Sequence, residues 1–222
     1  MAFHPPLWRT RDEAGAELAT RFQSWLKPRE ATLLLALPRG GVPVAAAMAR
    51  RLHWPLATWS VRKVADPSWP ELAIGAVAAG GVVVWRDGGQ QGANNREFLA
   101  RSQGWLQLEE RELARRQARF RDPPAKDLEN LHLVVVDDGI ATGMTVRAAL
   151  LALQRCQPAS LTLAVPVVDQ DVVADLEPLV DQLVALAVVE DLRAVGLWYE
   201  EFAQLSDAQV LELLQPHRRS SP

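Results

Sequence analysis

The chain of 222 residues has one cysteine, one tyrosine, no long basic run and no apolar run of membrane-spanning length. A lone cysteine, Cys156, excludes an internal disulfide and fits a reducing compartment, where it reads as packing on an apolar helix. Without a stretch of roughly 20 apolar residues there is no spanning helix, and the opening M-A-F-H-P-P-L-W-R-T lacks the apolar core of a secretion signal. The expectation is a cytoplasmic protein that touches no membrane. A net charge of −3 argues against a general nucleic-acid binder, and Arg218-Arg219 reads as a solvated tail. Neither G-x-x-x-x-G-K-[ST] nor G-x-G-x-x-G occurs, which removes the P-loop and dinucleotide readings. What is present, 49% hydrophobic and 23% charged residues, suffices for the core of a single α/β domain over residues 1–222.

Hydrophobic periodicity lays out the elements. Thr10-Arg11-Asp12-Glu13 has the form of a capping box, and Ala14, Leu18, Phe22 and Leu26 follow at helical spacing, giving a helix over about 11–27. The unbroken apolar run 32–37 reads as a strand buried on both faces. Val44, Met48 and Leu52 mark a second helix, and 55–61 a second strand. Two short apolar runs, 73–78 and 81–86, split by Gly80-Gly81, predict a hairpin. Leu99, Leu106, Leu113 and Phe120, with Phe98 and Trp105 alongside, predict one long amphipathic helix over 94–120, whose heptad could also serve a homodimer contact. Further strands are expected at 133–136, 160–166 and 179–189, with helices carrying Val146, Leu150 and Leu153, then 169–176, then Val210, Leu211 and Leu214 behind a Ser206–Gln209 cap. This alternation predicts an α/β fold with a doubly wound, mainly parallel sheet flanked by helices.

The stretch Leu133 to Thr145, L-V-V-V-D-D-G-I-A-T-G-M-T, organises the chain. A buried strand runs into two adjacent carboxylates, a small hydroxyl-bearing turn and a helix start. At the carboxyl end of a parallel strand such residues open into the ligand crevice, and a helix that begins there presents free N–H groups and positive dipole to a phosphate. Acids beside a phosphate site make sense when the ligand also carries ribose hydroxyls or a divalent cation. The run resembles the signature of type I phosphoribosyltransferases. That resemblance implies that Asp137 and Asp138 hold the ribose hydroxyls of 5-phosphoribosyl 1-pyrophosphate, while Ala141, Thr142, Gly143, Met144 and Thr145 wrap its 5′-phosphate and Gly139 lets the backbone come close to the substrate. Mg²⁺ would come mainly through the substrate, near Asp137 and Asp138, with no residue assigned as its direct ligand.

Pro38, Arg39, Gly40 and Gly41 resemble the family's pyrophosphate loop, which implies a cis bond between Pro38 and Arg39 and places Arg39 on the leaving group. Arg62 and Lys63 resemble the basic pair of orotate phosphoribosyltransferases and join Arg39 as candidate catalytic cations. Residues 64–93 correspond to the family's lid. The segment 190–216 corresponds to its hood, where Trp198, Tyr199 and Phe202 are candidates to stack on a planar acceptor. Two positions depart from the enzymes for 6-oxopurines: Ala141 replaces an aspartate, and Leu192-Arg193 stand where a lysine is expected. Those acceptors are disfavoured, and the sequence names neither the acceptor nor a general base. The expected function is a phosphoribosyltransferase; the alternative is a non-catalytic binder of phosphoribosyl pyrophosphate or nucleotide. A phosphorelay receiver also pairs acids at a strand end, but earlier in the chain and without the T-G-x-T loop.

Overall fold

Thr32–Ala36 is a run of five buried residues, and it forms an interior strand of a sheet whose two faces are both covered. In a computed structural model, which describes residues 5–23, 31–66, 68, 73–86 and 89–217, the elements in chain order are α1 (Arg11–Thr20), β1 (Thr32–Ala36), α2 (Gly41–Leu52), β2 (Leu56–Thr58), β3 (Val61–Ala65), β4 (Ala73–Ala78), β5 (Val82–Trp85), α3 (Gly89–Ser102), α4 (Trp105–Phe120), β6 (His132–Val136), α5 (Met144–Gln154), β7 (Ser160–Asp169), α6 (Gln170–Leu176), β8 (Gln182–Val189) and α7 (Asp207–Leu214). Five strands form a parallel sheet in the order β2-β1-β6-β7-β8. Strands β3, β4 and β5 form a separate antiparallel sheet.

Alternate residues of the central strands serve opposite layers. Leu33 and Leu35 of β1 and Leu133 and Val135 of β6 pack with α5 and the small antiparallel sheet. Leu34, Ala36, Val134 and Val136 pack with α1, α2 and α7. Burial of apolar surface on both faces, at about 25 cal/mol per Å², explains why these strands carry no polar alternation.

Besides β7, which runs on to Asp169, and β8, which begins only at Gln182, three boundaries differ from the expected ones near the N-terminal half. The run 55–61 is two strands, because the Ser60 N–H bonds to the Asp122 carboxylate at 2.7 Å, beside a 2.6 Å bond from the Thr58 hydroxyl. The chain leaves the large sheet there, so Arg62 and Lys63 lie inside β3 rather than after β2. The expected long helix breaks into α3 and α4 at Gly104, which takes a left-handed φ of 74°. That break changes the phase of the stripe: Leu106, Leu113 and Phe120 are buried, while Phe98 is 74% exposed and Leu99 43%. The first helix ends at Thr20, and residues 24–27 of its expected span lie outside the described residues, as do 67, 69–72 and 87–88 of the lid segment and the Arg218-Arg219 tail. Among the described residues no helix is long and apolar enough to cross a membrane.

Candidate active site

The sheet order fixes where a ligand can sit. From β1 the chain winds outward to β2, and from its neighbour β6 it winds the other way to β7 and β8, so the loops after β1 and β6 part and leave a crevice between them. Residues 37–40 and 137–143 come from these two loops, and most of them line a cleft of about 800 Å³. Glycines let the loops approach. A side-chain Cβ on Gly40 would lie 2.2 Å from Asp138 Oδ2, and one on Gly41 would lie 2.4 Å from the Val136 carbonyl. The Pro38–Arg39 peptide bond is cis.

Both aspartates line the cleft. Asp137 is half-buried, and its Oδ1 accepts the N–H of Asp138 at 2.9 Å. Asp138 is only 9% exposed, although it stands at a strand end that opens into the crevice. Its Oδ2 accepts from Nε of Arg11 at 2.7 Å. Burial pushes the Asp137 carboxyl well above the usual carboxylate range, reinforced by the neighbouring Asp138 charge. Asp138 is also raised by burial, with Arg11 pulling against it. Two acids this close resist sharing two full charges, so a ligand that brings hydroxyl donors relieves them.

The phosphate-loop candidates are built onto the adjacent strand. The N–H of Ile140 bonds to the Val167 carbonyl, and the Ile140 carbonyl accepts the N–H of Asp169, both at 2.9 Å. Gly139 is pressed against Val195 and Val167, leaving no room for a Cβ. Gly143, at φ 68°, starts α5 without a side-chain cap, so the first-turn N–H groups of that helix are left for the loop's occupant. Ala141, Thr142, Gly143 and Thr145 line the cleft; Met144 faces a neighbouring hollow of about 70 Å³ instead.

The opposite wall comes from β3 and α4. Arg62 and Lys63 both reach the cleft, and Arg62 pairs with Glu109 of α4 at 2.7 Å. Arg39, although in the β1–α2 loop, is not among the lining residues; Pro38 and Gly40 are. The three hood aromatics are not brought there either. Tyr199 is buried, its hydroxyl donating to the Asp138 carbonyl at 2.6 Å and its ring stacked on Phe202 with centroids 5.3 Å apart. Phe202 in turn lies under the Arg11 guanidinium at 3.6 Å. The hood enters the cleft through Arg193, Ala194 and Val195, and the stacking surface expected of Tyr199 and Phe202 is used up inside the protein.

Sequence reasoning missed Arg11, placed only in a helix cap, and Trp105, Leu108, Glu109 and Arg116, which fall within the expected long amphipathic helix without a site role. Leu108, 60% exposed yet lining the cleft, was legible as an apolar residue off the heptad. Among the described residues no group of three or more His, Cys, Asp or Glu side chains is placed to hold a metal ion.

A parallel sheet with a crevice at its switch point, acids on one loop and a helix start beside them define an α/β protein with a cleft at the carboxyl ends of its strands. The chain belongs to the phosphoribosyl transferase domain family, whose profile matches residues 12–179. Proteins of Mycobacterium tuberculosis strains H37Rv and CDC 1551, provisionally named phosphoribosyl transferases, are each 37% identical over 217 residues, 96% of this chain and 47% of theirs. The chain thus spans about half the length of these curated relatives. A crystal structure from Thermus thermophilus is 35% identical with a TM-score of 0.75, over 96% of this chain and 99% of that one. A solved structure from Aquifex aeolicus, 11% identical over 84% of this chain and 78% of that one with a TM-score of 0.53, shares the fold.

Proposed function

We propose that this chain binds 5-phosphoribosyl 1-pyrophosphate in the cleft and transfers its ribose 5-phosphate to a nitrogenous acceptor, releasing pyrophosphate. The observation that carries the reading is the meeting, in one cleft, of Asp137 and Asp138, the loop 139–143 at the start of α5, and the cations Arg62 and Lys63 on β3. Each part matches one part of the donor: acids for the vicinal hydroxyls, helix N–H groups for the 5′-phosphate, and cations for the pyrophosphate.

In the reaction an acceptor nitrogen forms a bond to C1 of the ribose as the bond from C1 to pyrophosphate breaks. The bonding pair leaves with the pyrophosphate, and the acceptor's proton passes to solvent. Negative charge grows on the departing oxygens, so Arg62 and Lys63 act more strongly on the transition state than on the bound donor, which is what accelerates the step. Arg39 belongs to this proposed set through its loop, whose neighbours Pro38 and Gly40 line the cleft. The small antiparallel sheet and α4 cover the cleft and would keep water from the ribose.

Mg²⁺ when bound would neutralise pyrophosphate charge. Asp137 and Asp138 are too few to enclose a divalent cation that favours six oxygens, but they fit one whose other ligands are oxygens of the donor and water. The test is to supply donor and Mg²⁺ with a panel of purine, pyrimidine, pyridine carboxylate and amine acceptors and to follow pyrophosphate. Release that depends on one acceptor and is lost with Arg62→Met/Lys63→Met supports the reading. Donor binding without release for any acceptor would favour a non-catalytic binder.

A further inference from the structure

Each carboxylate at the end of β6 has one oxygen already engaged. Asp137 Oδ1 holds the N–H of Asp138, and Asp138 Oδ2 holds Nε of Arg11. The two carboxyl groups also lie within hydrogen-bonding reach of each other, so the acids form one linked pair. The carboxyl group of Asp138 also lies flat against Gly40, where a Cβ would come within 2.2 to 2.8 Å of all three of its outer atoms. It is therefore held from two sides, by the glycine of one loop and by the arginine of another element.

Arg11 breaks the local rules of its own helix. It is the first residue of α1, where the helix dipole favours the acids Asp12 and Glu13 that follow and disfavours a cation. It is 9% exposed, unusual for an arginine unless it is paired. Besides Asp138, it donates from Nη1 to the Ala203 carbonyl at 3.0 Å and rests on the Phe202 ring at 3.6 Å. A residue that local preference would place elsewhere, fixed by three contacts from the hood and the acid pair, is held for a tertiary purpose.

We infer that Arg11 is a positioning residue of the diol site: its Nε fixes the orientation of Asp138, so that the acid pair is set to receive the two neighbouring hydroxyls of a ribose. It touches no ligand itself. The consequence is selectivity for ribose 5-phosphates over their 2-deoxy counterparts, because a 2-deoxy sugar leaves one buried carboxylate oxygen without a donor. This inference rests on the proposed reading of the cleft as a phosphoribosyl site.

The test is calorimetric titration of the full chain with ribose 5-phosphate, 2-deoxyribose 5-phosphate and inorganic pyrophosphate, using Arg11→Met, Arg11→Lys, Asp138→Asn and the double variant R11M/D138N. Arg11→Met should weaken ribose 5-phosphate about tenfold or more and erase its advantage over the 2-deoxy sugar, while pyrophosphate affinity stays within about twofold. Arg11→Lys, which keeps a cation beside Asp138, should recover most of the loss. In the Asp138→Asn background, adding Arg11→Met should cost no further affinity. If Arg11→Met does not fold, the double variant, which leaves no unpaired charge, and Arg11→Lys carry the comparison. Unchanged ribose 5-phosphate affinity in Arg11→Met, an equal loss for pyrophosphate, or Arg11→Lys binding no better than Asp138→Asn would overturn the inference alone. Wild-type protein that binds neither the ribose phosphate nor phosphoribosyl pyrophosphate would overturn the reading beneath it.

Discussion

The hydroxyl of Tyr199 donates to the main-chain carbonyl of Asp138 at 2.6 Å. The chain's single tyrosine thus clamps the backbone of the acid pair from behind, and the hood and the end of β6 form one buried unit with Arg11 between them. Burial holds the phenol well above its usual pKa, so it remains a donor throughout the working range. Tyr199→Phe keeps the stack on Phe202 but leaves the Asp138 carbonyl without this donor. It should cost about 1–2 kcal/mol of stability, roughly 2–8 °C in melting temperature, read by thermal denaturation.

Gly40→Ala should separate binding from folding. The φ of −60° at Gly40 suits any residue, so backbone conformation is no obstacle, but the new methyl would meet the Asp138 carboxylate. Ribose 5-phosphate affinity should fall about tenfold or more, with the circular dichroism spectrum unchanged. Wild-type affinity in this variant would show that the acid can move aside without consequence.

How far the sequence carried this account depended on the range of the interaction. The 13-residue run through Asp137 and Asp138 was legible because strand, acids, loop and helix start are contiguous, and the strand pattern of the large sheet followed from unbroken apolar runs. The Ser206–Gln209 cap was legible for the same reason, being closed within four residues. Arg11 was not, because the pair it makes spans 127 positions and its residue type is ordinary for a helix. Trp198, Tyr199 and Phe202 are assigned by sequence to an acceptor, and Tyr199 and Phe202 instead stack on each other, since nothing local distinguishes a ring facing a ligand from one stacked beneath an arginine. The break at Gly104 was passed over because the heptad count runs through it unchanged.

The Arg62–Glu109 pair makes a prediction about the pyrophosphate side. Both side chains are about a quarter exposed or less, so Glu109 partly neutralises a cation assigned to the leaving group. Glu109→Gln should free Arg62 and tighten inorganic pyrophosphate by about threefold or more, with a steeper dependence on salt. Competition titrations at two ionic strengths check it; weaker binding would mean that Glu109 orders Arg62 rather than occupying it.

Asp122 should give the stability a distinct pH dependence. Burial pushes its carboxyl up to about 6, against the hydrogen bonds from Thr58 and Ser60 that favour the charged form. Because the folded value lies above the unfolded one, this group's contribution is fully present below about pH 4 and is lost as pH rises through about 6. Asp122→Asn can keep a carbonyl on the Ser60 N–H while removing the buried charge. Relative to wild type it should melt higher at pH 7.5 than at pH 5, by roughly 1–2 kcal/mol after allowing for partial exposure. Comparing variant with wild type at each pH cancels the same-signed contributions of Asp137 and Asp138.

The central claim is that the acid pair at the end of β6 holds the ribose of phosphoribosyl pyrophosphate. Calorimetric titration of that donor, with Mg²⁺, into wild type and Asp137→Asn/Asp138→Asn tests it most directly. The account expects saturable binding to wild type and a loss of about a hundredfold or more in the double variant, measured where circular dichroism shows both proteins folded, since Asp138→Asn leaves the buried Arg11 without its partner and lowers the melting transition. Undiminished donor affinity in a folded double variant would contradict it.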